Sequence, residues 1–272
     1  MTIEPIRRFY AAAAALAAVA GFLLLPLAGE TDRFFSWTIE PPLTAAFLGA
    51  AYWAALVLLA WGARQREWAF ARTAMPAVAA IAALLLATTL IHLDKFDLDS
   101  LFGWFWLVVY CLVTPLLAWA LVRQARAAGP VERGLYPLPV PVRSVLAGAC
   151  LVLLGFGLAL FAAPADAVSL WPWDLTPLTA RAIGSFLIGF AVAGASALWE
   201  DDSRRLGGAA WAYATLAALE LLALALFNDD LTAGAAGVAA YVAFWVGSLA
   251  LGVAGVRLAS ANSAGRIASG SR

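Results

Sequence analysis

PLTARAIGSFLIGFAVAGASALW, residues 177–199, carries one charge, Arg181, and decides how the chain reads. A bilayer's hydrocarbon core needs about 20 apolar residues of helix, and this stretch supplies them. Seven further stretches of the same kind follow from it in both directions, so the apolar runs are 9–28, 43–63, 73–92, 101–122, 144–163, 178–199, 208–227 and 234–256. None shows the ten-residue alternation of a membrane barrel. A segment without water must then satisfy its backbone as a helix. The fold class read here is all-α: a polytopic integral membrane protein of about eight transmembrane helices.

Composition agrees. Hydrophobic residues make up 64% of the 272 and charged residues 12%, and mean hydropathy is +0.87, beyond the range of water-soluble domains. The partner of most of this surface is the lipid bilayer, with other membrane subunits a second class of partner. Seventeen basic and 17 acidic side chains cancel, and no Lys/Arg-dense block occurs, so no nucleic-acid partner is expected. Arg7 and Arg8 before the first run also fit a signal peptide. The run's length and the absence of an A-x-A site after Pro26 favour a retained helix.

The basic residues alternate along the chain. With the N-terminus in the cytoplasm, Arg7, Arg8, Arg64, Arg66, Arg72, Arg123, Arg126, Arg133, Arg143, Arg204, Arg205, Arg257, Arg266 and Arg272 all fall on that side. The outer side holds only Arg33 and Lys95, and Arg181 lies within a run. This bias places both termini in the cytoplasm and the chain in the cell (inner) membrane. The outer loops are acidic and aromatic, with Trp37, Trp171 and Trp173 in two matching loops. An interfacial belt explains such tryptophans; a binding loop is the competing reading.

The halves match one another. Asp32 and Trp37 meet Asp166 and Trp171 at an offset of 134, and Pro42-Leu43-Thr44-Ala45-x-x-x-Gly49 meets Pro177-Leu178-Thr179-Ala180-x-x-x-Gly184 at 135. A four-plus-four duplication with parallel halves is expected. Its parts are a first repeat over 1–128, a Pro-rich cytoplasmic linker over 129–143, a second repeat over 144–257 and a flexible tail over 258–272. The shared motif opens a helix with proline and sets Ala and Gly four apart, which suits close helix packing; a helix N-terminus aimed at a polar ligand group is the alternative.

Two ionisable residues lie at membrane depth: Arg181, about one turn inside the sixth run, and Glu220, in the middle of the seventh. Such residues are costly in lipid and face a bundle interior or a cavity, so they are ligand or transport candidates, against a reading as structural glue and a snorkelling arginine. Their counterparts in the first half are Ala46 and Leu85. The two are expected to meet between the sixth and seventh helices, joined by the short segment 200–207, as the polar centre of a carrier for a small solute or ion. His92, Asp94 and Asp174 at the outer side are further candidates, with a solvated helix end the plainer account of the histidine. Two alternatives stand beside the carrier: a non-catalytic membrane subunit or assembly partner, and an enzyme acting on a lipid or quinone at the outer leaflet.

Cys111 and Cys150 fall inside apolar runs, and with a single histidine they form no zinc site; no metal or other cofactor is expected. Two four-helix halves resemble the general plan of haem A synthases, but those use several paired histidines, and one histidine excludes bis-His haem ligation. No G-x-S-x-G, H-E-x-x-H, P-loop or Rossmann fingerprint stands in a fitting context.

Overall fold

A computed structural model describes residues 3–127 and 134–269. Its long helices are α1 (Glu4–Leu24), α2 (Pro42–Arg64), α3 (Met75–Ile91, preceded by a turn at Trp68–Ala71), α4 (Leu101–Ala127), α5 (Val140–Ala162), α6 (Pro177–Glu200), α7 (Gly207–Leu226) and α8 (Ala235–Ser269). Eight helical segments are long and apolar enough to cross a membrane, one for each apolar run, which suggests a polytopic membrane protein. No β-strand occurs among the described residues. Residue 128 and residues 129–133 of the expected linker, including Pro130 and Arg133, lie outside the described residues, as do Arg272 and the side chain of Arg266. The last helix continues to Ser269, past the end of its apolar run.

The helix starts follow from local chemistry. Proline occupies the first turn of α1, α2, α3, α5 and α6, where its missing N–H costs no intrahelical bond. Thr176 closes the start of α6 reciprocally: Thr179 N–H donates to Thr176 Oγ1 at 3.2 Å, and Thr176 N–H donates to Thr179 Oγ1 at 2.9 Å. At α2 the acceptor comes from elsewhere in the chain. Leu43 N–H donates to Asp230 Oδ2 at 2.8 Å, tying the start of α2 to the loop after α7.

The helices form two rows. α2 packs against α1 and α7, and α7 carries α8; α6 packs against α5 and α3, and α3 carries α4. α2 and α6 sit deepest, with 78% and 72% of their apolar windows buried, whereas α1, α4, α5 and α8 form the rim at 17–28%. The motif glycines make two of these contacts possible. A Cβ on Gly49 would come 2.6 Å from Leu25 N of the segment ending α1, and one on Gly184 would come 2.7 Å from Gly157 O of α5. Neither position admits a larger residue without a shift, costing about 1–3 kcal/mol.

The two rows correct one expectation. α6 and α7, consecutive in the chain, are not packed along their length; each lies against a helix of the other half. Their contact is slight and includes the Tyr213 Oη hydrogen bond to Phe190 O at 2.9 Å. The reason is local shape: Gly189 brings α6 hard against Ile81 of α3, while Gly207 and Gly208 seat the start of α7 on the Trp61 indole of α2.

Buried charge joins the rows on the face that carries the basic residues. Glu200, at the end of α6, takes Arg72 at 2.6 Å and Arg205 at 2.6 Å, and Asp202 binds Arg204 at 2.8 Å. Glu200, Asp202 and Arg205 are 5%, 1% and 4% exposed. Asp201 pairs with Arg143 and accepts Leu138 N–H at 3.0 Å, which holds its carboxyl below the usual carboxylate range. The hydrogen bonds from Arg204 to Asp202 push that guanidinium above its ordinary value.

Candidate functional site

The opposite, aromatic face holds the candidate residues, and the structure divides them. Arg181 does not meet Glu220. Its Nη1 lies 2.8 Å from His92 Nε2, because α3 rather than α7 is the neighbour of α6. His92 follows the last residue of α3, half-buried beside that guanidinium; burial and then the neighbouring Arg181 charge push its pKa below the ordinary histidine value. Held neutral, its Nε2 accepts from the guanidinium. Asp94 faces outward and pairs only with its neighbour Lys95 at 3.2 Å. Asp174 is exposed and accepts from Thr232 Oγ1 at 3.4 Å.

Trp37 is buried in a cluster with Phe35, Phe96 and Trp106, the ring of Trp106 standing edge-on at 5.0 Å. Trp171 and Trp173 belong to a different cluster. Their rings lie 5.2 Å apart, both contact Tyr241 of α8, and Trp173 Nε1 donates to Thr44 Oγ1 of α2 at 2.8 Å. Trp173 is fully buried, so the second loop is anchored into the first half through the motif threonine.

Glu220 lies behind this second cluster. Six residues before the end of α7, or about 9 Å along the helix, it is 1% exposed among leucines. Tyr241 Oη donates to its Oε2 at 3.0 Å. Among the described residues its Oε1 has no hydrogen-bond partner, and neither have the buried Nε1 groups of Trp171 and Trp245 or that of Trp37 in the first cluster. A buried polar atom left unmatched costs about 1–3 kcal/mol, so a half-satisfied carboxyl in an Ala/Leu helix is poor structural glue.

In front of Tyr241 is a cavity of about 370 Å³. It occupies the seam between α5 and α8, two rim helices that barely touch, over Leu187 of α6. Phe156, Trp171, Phe244 and Trp245 supply aromatic walls, and Gly237 and Ala240 leave the space beside α8 unfilled. Val152, Phe156 and Leu170 are 42%, 40% and 69% exposed, so the cavity opens sideways on the apolar perimeter. Its size is within the range of small-molecule pockets, and its walls match their chemistry: mostly apolar, with few polar groups.

A related but smaller space lies at the other seam. About 110 Å³ lies between α1, α2, α3 and α4, lined by Tyr52, Trp106 and Tyr110. Here the polar groups satisfy one another. Tyr52 Oη and Tyr110 Oη are 2.6 Å apart, and Trp106 Nε1 donates to Thr89 Oγ1 at 2.9 Å. Tyr241, Trp245 and Leu187 of the larger cavity stand 135 residues after Trp106, Tyr110 and Tyr52 of the smaller space, the offset at which Pro42-Leu43-Thr44-Ala45 meets Pro177-Leu178-Thr179-Ala180.

Sequence reasoning missed Tyr241 and the charge cluster around Glu200. The one sequence signal for Tyr241 was its spacing, 135 residues after Trp106, the offset of the Pro-Leu-Thr-Ala match. The cluster stands in the sequence as Glu200-Asp201-Asp202-Ser203-Arg204-Arg205, but counting only basic residues by side hides their acidic partners. No protein-family model, curated protein or solved structure matches the chain.

Proposed function

We propose that this protein binds a lipophilic small molecule, taken sideways from the bilayer into the cavity between α5 and α8. The observation that carries the reading is that cavity: open at the apolar perimeter, walled by aromatic rings, and backed by the half-satisfied Tyr241–Glu220 pair. It replaces the expected Arg181–Glu220 pair as the reason to look for a ligand, and turns the carrier reading from a polar solute toward a lipophile. The basic face lies in the cytoplasm with both termini, and the cavity opens to the outer leaflet; the distribution of Lys and Arg supports this orientation.

The chain is a duplication whose halves interlock. α1–α2 corresponds to α5–α6, α2–α7 to α6–α3, and α7–α8 to α3–α4, and each of these pairs is packed. Short 3₁₀ turns after α3 and α7, at Leu93–Lys95 and Asn228–Asp230, stand 135 residues apart. The second half keeps the ligand site, while the first keeps the same positions as packing.

The test is to release the protein from its membrane into nanodiscs and examine it by native mass spectrometry. A small lipophile retained by the wild type and lost from Ala240→Phe, which fills the cavity, is the expected result. A chain that carries no small molecule but holds a stoichiometric protein partner would replace this reading with that of a membrane subunit.

A further inference from the structure

We infer that the ligand carries an O–H or N–H donor, which the Tyr241 hydroxyl oxygen accepts, and that Glu220 sets this preference. The inference rests on the cavity reading above and adds the chemistry of the ligand's head. Tyr241 lines the cavity and is only partly buried, whereas Glu220 stands behind it. The one hydrogen on Tyr241 Oη is committed to Glu220 Oε2 at 3.0 Å. What the tyrosine offers to the cavity is therefore a lone pair. A phenol has one donor and acceptor capacity at the same oxygen, so fixing the hydrogen on one side fixes the other side as acceptor.

The rest of the wall does not undo this selection. Phe156, Phe244 and Leu170 offer no hydrogen bond, and the indoles of Trp171 and Trp245 can only donate, so Tyr241 is the one side chain of the wall that can accept from a ligand. An alcohol, phenol or amine on an apolar body meets that requirement. An ester, ether or ketone can take an indole N–H but leaves the tyrosine lone pair desolvated and unmatched. Glu220 is a positioning residue here: it orients the tyrosine hydroxyl from behind and does not line the cavity. In the first half Leu85 stands at the corresponding position, so an aliphatic side chain suits that place in the helix.

Two probes differing in one hydrogen-bond donor read this directly: 4-octylphenol and its methyl ether, 4-octylanisole. Binding of each is measured to the full-length protein in phosphatidylcholine nanodiscs, and the phenol-to-ether preference is compared between variants, which cancels unequal partitioning into lipid. The wild type should prefer the phenol about tenfold more than Tyr241→Phe does, the value of one hydrogen bond. Glu220→Leu frees the tyrosine hydrogen to point into the cavity, so the ether should gain and the preference should fall to or below that of Tyr241→Phe. Equal preference in wild type and Tyr241→Phe, with both probes bound, overturns the donor inference and leaves the cavity reading standing. Failure of both probes to bind, or equal binding to Ala240→Phe, overturns the cavity reading and this inference with it.

Discussion

The seam between α1 and α4 and the seam between α5 and α8 both hold aromatic residues and use them differently. In the first, Tyr52 and Tyr110 bond each other, Trp106 bonds Thr89, and about 110 Å³ is left over. In the second, Leu187 and Trp245 stand 135 residues after those tyrosines, Tyr241 turns to Glu220, and about 370 Å³ stays open. A closed polar network stabilises a seam. An incomplete one, beside unfilled space, costs stability and leaves groups for a ligand to complete.

If the seams belong to interlocked halves, the largest effect comes from separating them. Residues 1–133 and 134–272 expressed alone should each fail to give a monodisperse species in mild detergent, and co-expression should recover a complex. A stable, separately folded half would break the comparison at its root. Next in size is the cluster that ties the rows together on the basic face. Glu200→Ala leaves half-buried Arg72 without its carboxylate and buried Arg205 with only the longer contact to Asp202 at 3.6 Å, so thermal unfolding in detergent should show a loss of about 3–5 kcal/mol, with Glu200→Gln losing less. Within the first seam, Tyr110→Phe strands the Tyr52 hydroxyl and should cost about 1–3 kcal/mol with little effect on ligand retention.

The smallest effect is a pH dependence on the aromatic face. The folded pKa of His92 lies below its unfolded value of about 6.5, so the unfolded chain takes up the proton first as pH falls. Stability is then unaffected above that value and declines as pH drops through it toward the folded pKa, because the folded state resists placing a second cation beside Arg181. Unfolding midpoints between pH 7.5 and 5.5 should fall for the wild type and fall less for His92→Gln. Asp201 does not interfere in this window. Its carboxyl is depressed by Arg143, so its contribution is lost only as pH falls through a value below the ordinary carboxylate range.

How much the sequence disclosed depends on which force set each feature. Hydrophobic length governs membrane spanning, so the runs matched the helices in number, and the prolines at 42 and 177 marked two starts to the residue. Close packing at Gly49 and Gly184 was legible because only small residues permit it. The partner of each helix was not legible. Chain adjacency favoured α6 with α7, whereas glycines on other faces decided for α3 and α2, and a periodic Ala/Gly/Leu sequence does not show which face is used. Glu220 was legible as an anomaly, but its partner was not. Tyr241, an ordinary aromatic at the membrane interface, acquires its role only by facing a carboxyl 21 residues away on the neighbouring helix.

On the proposed function Glu220 is kept at a cost to stability, for a ligand, while the Tyr52–Tyr110 pair of the first seam is kept for packing. The most direct test is the unfolding free energy of Glu220→Leu beside Tyr110→Phe, in the same detergent and without added lipophile. Leucine removes a half-satisfied buried carboxyl from a helix whose counterpart carries Leu85, so Glu220→Leu should stabilise the protein by about 1 kcal/mol while Tyr110→Phe destabilises it. If Glu220→Leu instead destabilises as much as Tyr110→Phe, then Glu220 is structural glue like the tyrosine pair, and the distinction between the two seams is wrong.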